Sequence, residues 1–171
     1  MTLAFTIPVL ETDRLILLEP READFPAMLA FNDSPRAAFL GGSGPRQQVW
    51  RAFLSNIGHW ALRGYGFWSV DTKAGDLIGR VGVIFHDGWV APELAWHLYE
   101  GFEGKGYAHE AALASRDWAA GQGMAPLVSM IDPANTRSIA LATRLGARLE
   151  RTDPGGGKPF HIFRHPLGGT A

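Results

Sequence analysis

With 171 residues, 46% of them hydrophobic and 19% charged, the chain has apolar material enough for one folded domain, 1–171, and too much for a disordered one. A formal net charge of −1, with Lys and Arg scattered along the chain, argues against a nucleic-acid backbone as the main partner. The absence of cysteine excludes disulfides, thiolate-bound zinc and an acyl-cysteine intermediate; with no leader-like opening and no apolar stretch near the roughly 20 residues of a membrane span, a cytoplasmic protein without a membrane partner is expected.

Residues 14–19 hold the unbroken run Leu15, Ile16, Leu17 and Leu18, which predicts a strand covered on both faces. A helix follows, capped by Asp24, with Phe25, Met28, Leu29 and Phe31 on its apolar face and Pro35 as its stop. Gly41, Gly42 and Gly44 mark a surface loop. A second helix is predicted over 47–62, where Val49, Phe53, Ile57 and Trp60 recur every three or four residues, and Gly64 ends it. Two strands, 66–71 and 77–85, flank the short polar connection Thr72-Lys73-Ala74-Gly75 and read as a hairpin. After an Asp87-Gly88 turn comes a strand at Glu93–Leu98, and from there the pattern is a glycine-rich loop, helix, strand, helix, strand. The helices are expected at 107–120 and 136–145 and the strands at 127–131 and 160–163, the last closing the sheet. Gly155, Gly156 and Gly157 form a second loop.

The turn Glu103-Gly104-Lys105-Gly106 leads from a strand straight into a helix. Gly104 and Gly106 let the backbone approach a ligand, and the uncapped amides at the head of the helix favour an anion such as a pyrophosphate. Taken alone, the two glycines fit a merely tight turn equally well. The turn lacks the Gly-Lys-Ser/Thr ending of a nucleoside-triphosphate loop and the third glycine of a dinucleotide loop. Further on, Asn135 stands where a helix begins after a buried strand, a good N-cap position.

Together these segments resemble the GNAT superfamily of N-acetyltransferases. Its Gln/Arg-x-x-Gly-x-Gly/Ala signature is matched by Glu103 to Ala108, and its later Asn-x-x-Ser/Ala with Leu-Gly-Phe by Asn135 to Ser138 and Leu145-Gly146-Ala147. The opening Glu11-Thr12-Asp13-Arg14-Leu15 and the stretch Lys105 to Ala111 look most like the branch of ribosomal-protein N-terminal acetyltransferases. The resemblance implies an α/β fold: a central mixed, mostly antiparallel sheet of six or seven strands, helices on both faces, and a splay near Leu98 and Ile131 that holds acetyl-CoA. It also implies that amides of Glu103, Gly104, Lys105, Gly106, Tyr107 and Ala108 hold the pyrophosphate, that Trp96, His97 and Leu98 pair with pantetheine, and that Asn135 and Ser138 support the other flank. The implied reaction is acetyl transfer to a primary amine, of a small molecule or a peptide N-terminus, by direct attack in a ternary complex. The alternative is a non-catalytic acyl-CoA-binding regulatory module.

Two positions depart from the family pattern. Glu103 replaces Gln or Arg and brings a carboxylate near a diphosphate. The Tyr that often lies seven residues after the Asn, ready to protonate the leaving thiolate, is Ala142 here; Ser138, one turn earlier, is the substitute donor, with a plain capping Ser as the competing reading. Glu93 leads as general base, as a Glu at that strand start does in some family members, against a solvated strand-end Glu; Asp132 is a weaker candidate. Glu93 and His97 share a strand face but lie about 13 Å apart, so they form no dyad. His59, His86, His109, His161 and His165 show no ligand spacing, and no metal is expected. The six Trp read mostly as core. The sequence leaves a homodimer open.

Overall fold

The computed structural model describes residues 4–124 and 126–167. These form an eight-stranded sheet with strands β1 (Leu10–Glu11), β2 (Leu15–Leu18), β3 (Phe67–Thr72), β4 (Leu77–Ile84), β5 (Glu93–Leu98), β6 (Val128–Ile131), β7 (Arg148–Asp153) and β8 (Phe160–Arg164). The order is β1-β2-β3-β4-β5-β6-β8-β7, antiparallel throughout except for the parallel pair β5 and β6. Four α-helices, α1 (Phe25–Asn32), α2 (Arg46–Arg63), α3 (Tyr107–Gly121) and α4 (Thr136–Arg144), and two short 3-10 helices, Glu22–Asp24 and Pro35–Leu40, accompany it. No helix among the described residues is long and apolar enough to cross a membrane.

The expected α/β class holds, with three differences. β1 contributes two residues and has no pattern to betray it. β7 reads Arg-Leu-Glu-Arg-Thr-Asp and is largely exposed; as an edge strand it carries charge in place of apolar alternation and is tied to β8 by the Arg164–Glu150 pair. Consequently β8 lies between β6 and β7 and does not close the sheet. Asp24 sits at the N-cap position of α1 without capping it. Its carboxylate accepts from the Arg21 amide at 2.9 Å and from Ser69 Oγ at 2.6 Å, which pins the start of α1 to β3.

Strand alternation splits the core. Leu94 on β5, with Leu15, Leu17, Val81 and Val83, packs toward Ala111, Ala112 and Ala119 of α3. Glu93, Ala95 and His97 face the other way, toward α1 and α2, whose own cluster is Phe25, Met28, Val49 and Phe53. Asn56 fixes α2 by exchanging two hydrogen bonds with the backbone of Phe67, at 2.8 and 3.0 Å, and Trp60 Nε1 adds a third at 2.9 Å. The two helices thus roof the Glu93 face without filling it.

Candidate active site

The sheet opens between its two parallel strands. β5 and β6 meet only at Glu93 and Val128, beside a backbone bond from Val128 N–H to Pro92 C=O at 3.0 Å. One step further, side chains bridge the gap: Ser129 Oγ donates to Leu94 C=O at 2.6 Å, and Met130 N–H donates to Glu93 Oε1 at 2.8 Å. The buried His165 contacts Ser129 Oγ through Nε2 at 2.9 Å, and burial, helped by Arg116, pushes it down to about 4, so it stays neutral. Beyond these bridges the β6-facing edge of Ala95 to Leu98 has no ladder partner among the described residues. This is the predicted splay, and it leaves main-chain donors and acceptors free.

At the far end of β5 the chain turns through Gly104 (φ 73°) and Gly106 (φ 81°), left-handed conformations that favour glycine, and enters α3 with no side-chain cap. The amides of Tyr107, Ala108 and His109 therefore have no helical acceptor. A clamp fixes the turn. Arg14 donates from Nε to Glu110 Oε2 at 2.6 Å and from Nη1 to Lys105 C=O at 2.9 Å, and it covers the Tyr107 ring; Thr12 Oγ1 donates to Glu110 Oε1 at 2.6 Å. Partial burial resists ionisation of Glu110, yet Thr12 and Arg14 outweigh it and hold its carboxyl below the usual range. Two motifs distant in sequence are thus halves of one support.

A groove of about 410 Å³ runs from this turn past Trp96, His97 and Leu98 to Asn135 and Ser138. It gathers Glu103, Gly104, Gly106, Tyr107 and Ala108, which the resemblance assigns to the pyrophosphate, but not Lys105. That side chain bends back to Gly101 C=O at 3.1 Å and over the Phe102 ring, so only its main chain stays beside the turn. Glu103 is paired with Arg36, which answers the objection to a carboxylate there. Burial raises the cost of its charge, but amides of the turn with Arg36 and Arg137 hold the carboxyl below its ordinary value. Asn135 caps α4, accepting from Ser138 N–H at 3.2 Å. Ser138 Oγ accepts from Trp96 Nε1 at 3.2 Å, which leaves its own proton free to donate. Ala142 is fully buried beside Ile131, Ala147 and Phe163, with Trp96 packed against the cluster.

On the other side of β5 lies a cleft of about 880 Å³, framed by α1, α2, the 41–44 loop and residues Asp153, Lys158 and Pro159. His97 lines both cavities, so they meet at the splay. Glu93 lines the cleft, and its Oε2 has no protein partner among the described residues. Burial pushes its carboxyl up to about 7, against the opposing pull of the Met130 amide. A solvated strand-end Glu is therefore the wrong description. Asp132 also faces the cleft, but the Ala134 amide and Lys158 hold its pKa down and make it a poorer base. His97 is buried well below its usual pKa and accepts from Arg80 Nε at 2.9 Å. Among the described residues no three His, Asp or Glu side chains gather around a metal-sized space.

Residues 14–148 match the family model of the acetyltransferase (GNAT) domain. The chain belongs to the GNAT acetyltransferase family. This GNAT protein is similar to an acetyltransferase from Agrobacterium tumefaciens str. C58, at 38% identity and a TM-score of 0.88, over 97% of this chain and 98% of that one. It is also similar to YkkB of Bacillus subtilis (strain 168), 27% identical over 162 residues, 90% of this chain and 93% of YkkB. A ribosomal L7/L12 α-N-protein acetyltransferase in complex with coenzyme A shares the fold at 19% identity, with a TM-score of 0.77 over 94% of this chain and 97% of that one. The protein is an acetyl-CoA-dependent acyltransferase.

Among the groove residues of this GNAT enzyme that sequence reasoning missed are three arginines, Arg36, Arg137 and Arg144. The last two carried a signal, because positions seven apart on a helix fall on one face. Arg36 carried none, since only the fold brings it to Glu103. Of the six tryptophans, Trp60 and Trp68 are buried in the core and Trp89 lines the cleft.

Proposed function

We propose that the protein transfers an acetyl group from acetyl-CoA to a primary amine by direct attack in a ternary complex. The observation that carries this is Glu93: a buried carboxyl of raised pKa, with one oxygen held by the Met130 amide and the other open to a cleft that meets the groove. At neutral pH such a group accepts a proton from an ammonium acceptor, directly or through one water, and yields the free amine that attacks the thioester. Amides of the 103–108 turn hold the pyrophosphate, and the free edge of Trp96, His97 and Leu98 pairs with pantetheine. Ser138 donates a hydrogen bond to the departing thiolate, oriented for it by Trp96. With the pair already assembled, no covalent enzyme intermediate is needed.

The non-catalytic reading gives no reason for a desolvated carboxyl in an open cleft, since a binding module gains nothing from that cost. A coenzyme A release assay over small amines and short peptides tests the proposal: turnover lost in Glu93→Gln supports it, and tight acetyl-CoA binding without turnover on any acceptor overturns it. Arg137 and Arg144 supply positive charge at the groove for the phosphates. Replacing both with Ala is expected to weaken acetyl-CoA binding by about tenfold at low ionic strength, and by less in high salt, where such exposed charges are screened.

A further inference from the structure

The cleft contains a cation that no protein group answers. Arg80 faces it from β4, and among the described residues no carboxylate lies within salt-bridge distance of its guanidinium. Its Nε is spent on His97 Nδ1, and its guanidinium lies over the Phe67 ring, 4.5 Å from the centroid. Phe31 stacks on His97 at 5.5 Å and Phe67 approaches it at 5.4 Å, so the arginine is braced by rings. Neither Nη atom donates to a protein acceptor among the described residues. Burial pulls the arginine below its ordinary pKa, against a smaller opposing pull from Tyr99. Lys158, also at the cleft, is by contrast paired with Asp132.

The register says what lies between Arg80 and the base. Arg80 stands opposite His97, Gly82 opposite Ala95, and Ile84 opposite Glu93. The backbone of Gly66 and Phe67 takes up the face of Gly82, whereas Ala95, the β5 residue between His97 and Glu93 on this face, lines the same cleft as Arg80 and Glu93. The stretch of cleft from Arg80 to Glu93 spans four residues along the strands, about 13 Å between Cα positions. A molecule lying in it with its nitrogen at Glu93 places atoms several bonds away at the open fork of Arg80, which is shaped to take two oxygens at once.

We infer that the acceptor is an amine carrying an oxyanion several bonds from its nitrogen, and that Arg80 selects it by binding that anion. This rests on the acetylation of an amine at Glu93 proposed above. Ala-Glu-amide is paired with Ala-Gln-amide, a series of ω-amino acids with their carboxamides, and an aminoalkyl phosphate with the matching amino alcohol. Wild type is expected to favour the anionic partner at least about tenfold in kcat/KM, mostly through KM, by the strength of a desolvated Arg–oxyanion pair. The carboxylate and phosphate arms show which oxyanion fits better. Arg80→Gln is expected to lose the preference while keeping kcat on neutral amines and the affinity for acetyl-CoA; Arg80→Lys is expected to restore part of it, which a merely structural loss would not allow. Equal kcat/KM within every pair, or a preference that survives in a folded Arg80→Gln protein, overturns the inference and leaves amine acetylation standing. If no amine is acetylated, titrating the N-acetylated Glu and Gln peptides with coenzyme A present still decides: tighter binding of the acid that depends on Arg80 supports the anion site, and equal binding sinks it.

Discussion

Glu93→Gln is expected to lower kcat for amine acetylation by about 10²- to 10⁴-fold, the range for loss of a positioned general base. Affinity for acetyl-CoA should not change, because Glu93 lies in the acceptor cleft outside the groove. Gln keeps a carbonyl oxygen to accept the Met130 amide now bonded at 2.8 Å, so the mouth of the splay should survive. In wild type, kcat/KM should rise with pH through a limb near 7, where the carboxyl ionises, and the mutant should lack that limb. Stability gives an independent check with a definite sign. The folded carboxyl titrates near 7 against an ordinary value of 4.5, so the fold favours the protonated acid. That contribution is complete below 4.5 and is lost as pH rises through 7. At 1.36 kcal/mol per pH unit the loss is about 3 kcal/mol. Glu93→Gln carries no such loss, so its stability relative to wild type should climb by that amount between pH 4.5 and 7 and then level off. Denaturant unfolding across this range checks it; a pH-independent difference would mean that Glu93 is not desolvated as described.

Gly106→Val is expected to weaken acetyl-CoA binding by about 30-fold or more, which corresponds to about 2 kcal/mol, within the cost of holding a non-glycine residue in a strained backbone region. Gly106 has φ 81° at the cap of α3, and a Cβ built there lies 3.3 Å from the Arg14 guanidinium that clamps the turn. Valine must either accept that strain or move the turn and redirect the amides of Tyr107 and Ala108. Gly75→Val is the matched control. Gly75 has φ 94° in the hairpin between β3 and β4, so it should lose stability comparably and bind acetyl-CoA normally. Equal affinity in both variants would show that the turn does not hold the ligand.

These tests concern features of unequal visibility in the sequence. β5, the glycine turn and α3 were legible because conformation and chemistry coincide there: glycines where φ is positive, then an amphipathic run. Glu93 was legible as a position, but its burial depends on Met130 and on the roof that Asn56 and Trp60 tie to Phe67, contacts no local pattern announces. β7 escaped because an edge strand needs no apolar face. The Lys105 side chain is held back by Gly101 and Phe102, contacts that its place in the loop does not announce. Nothing in the sequence marks Arg80, since a lone arginine in a strand gains meaning only when its neighbours withhold a counter-charge.

The most direct measurement is calorimetric titration of folded protein with acetyl-CoA and with free coenzyme A, at two temperatures so that a vanishing enthalpy cannot hide binding. One saturable site for both, weakened by salt and by Gly106→Val, is the predicted result. No binding heat from either compound at either temperature would contradict the account.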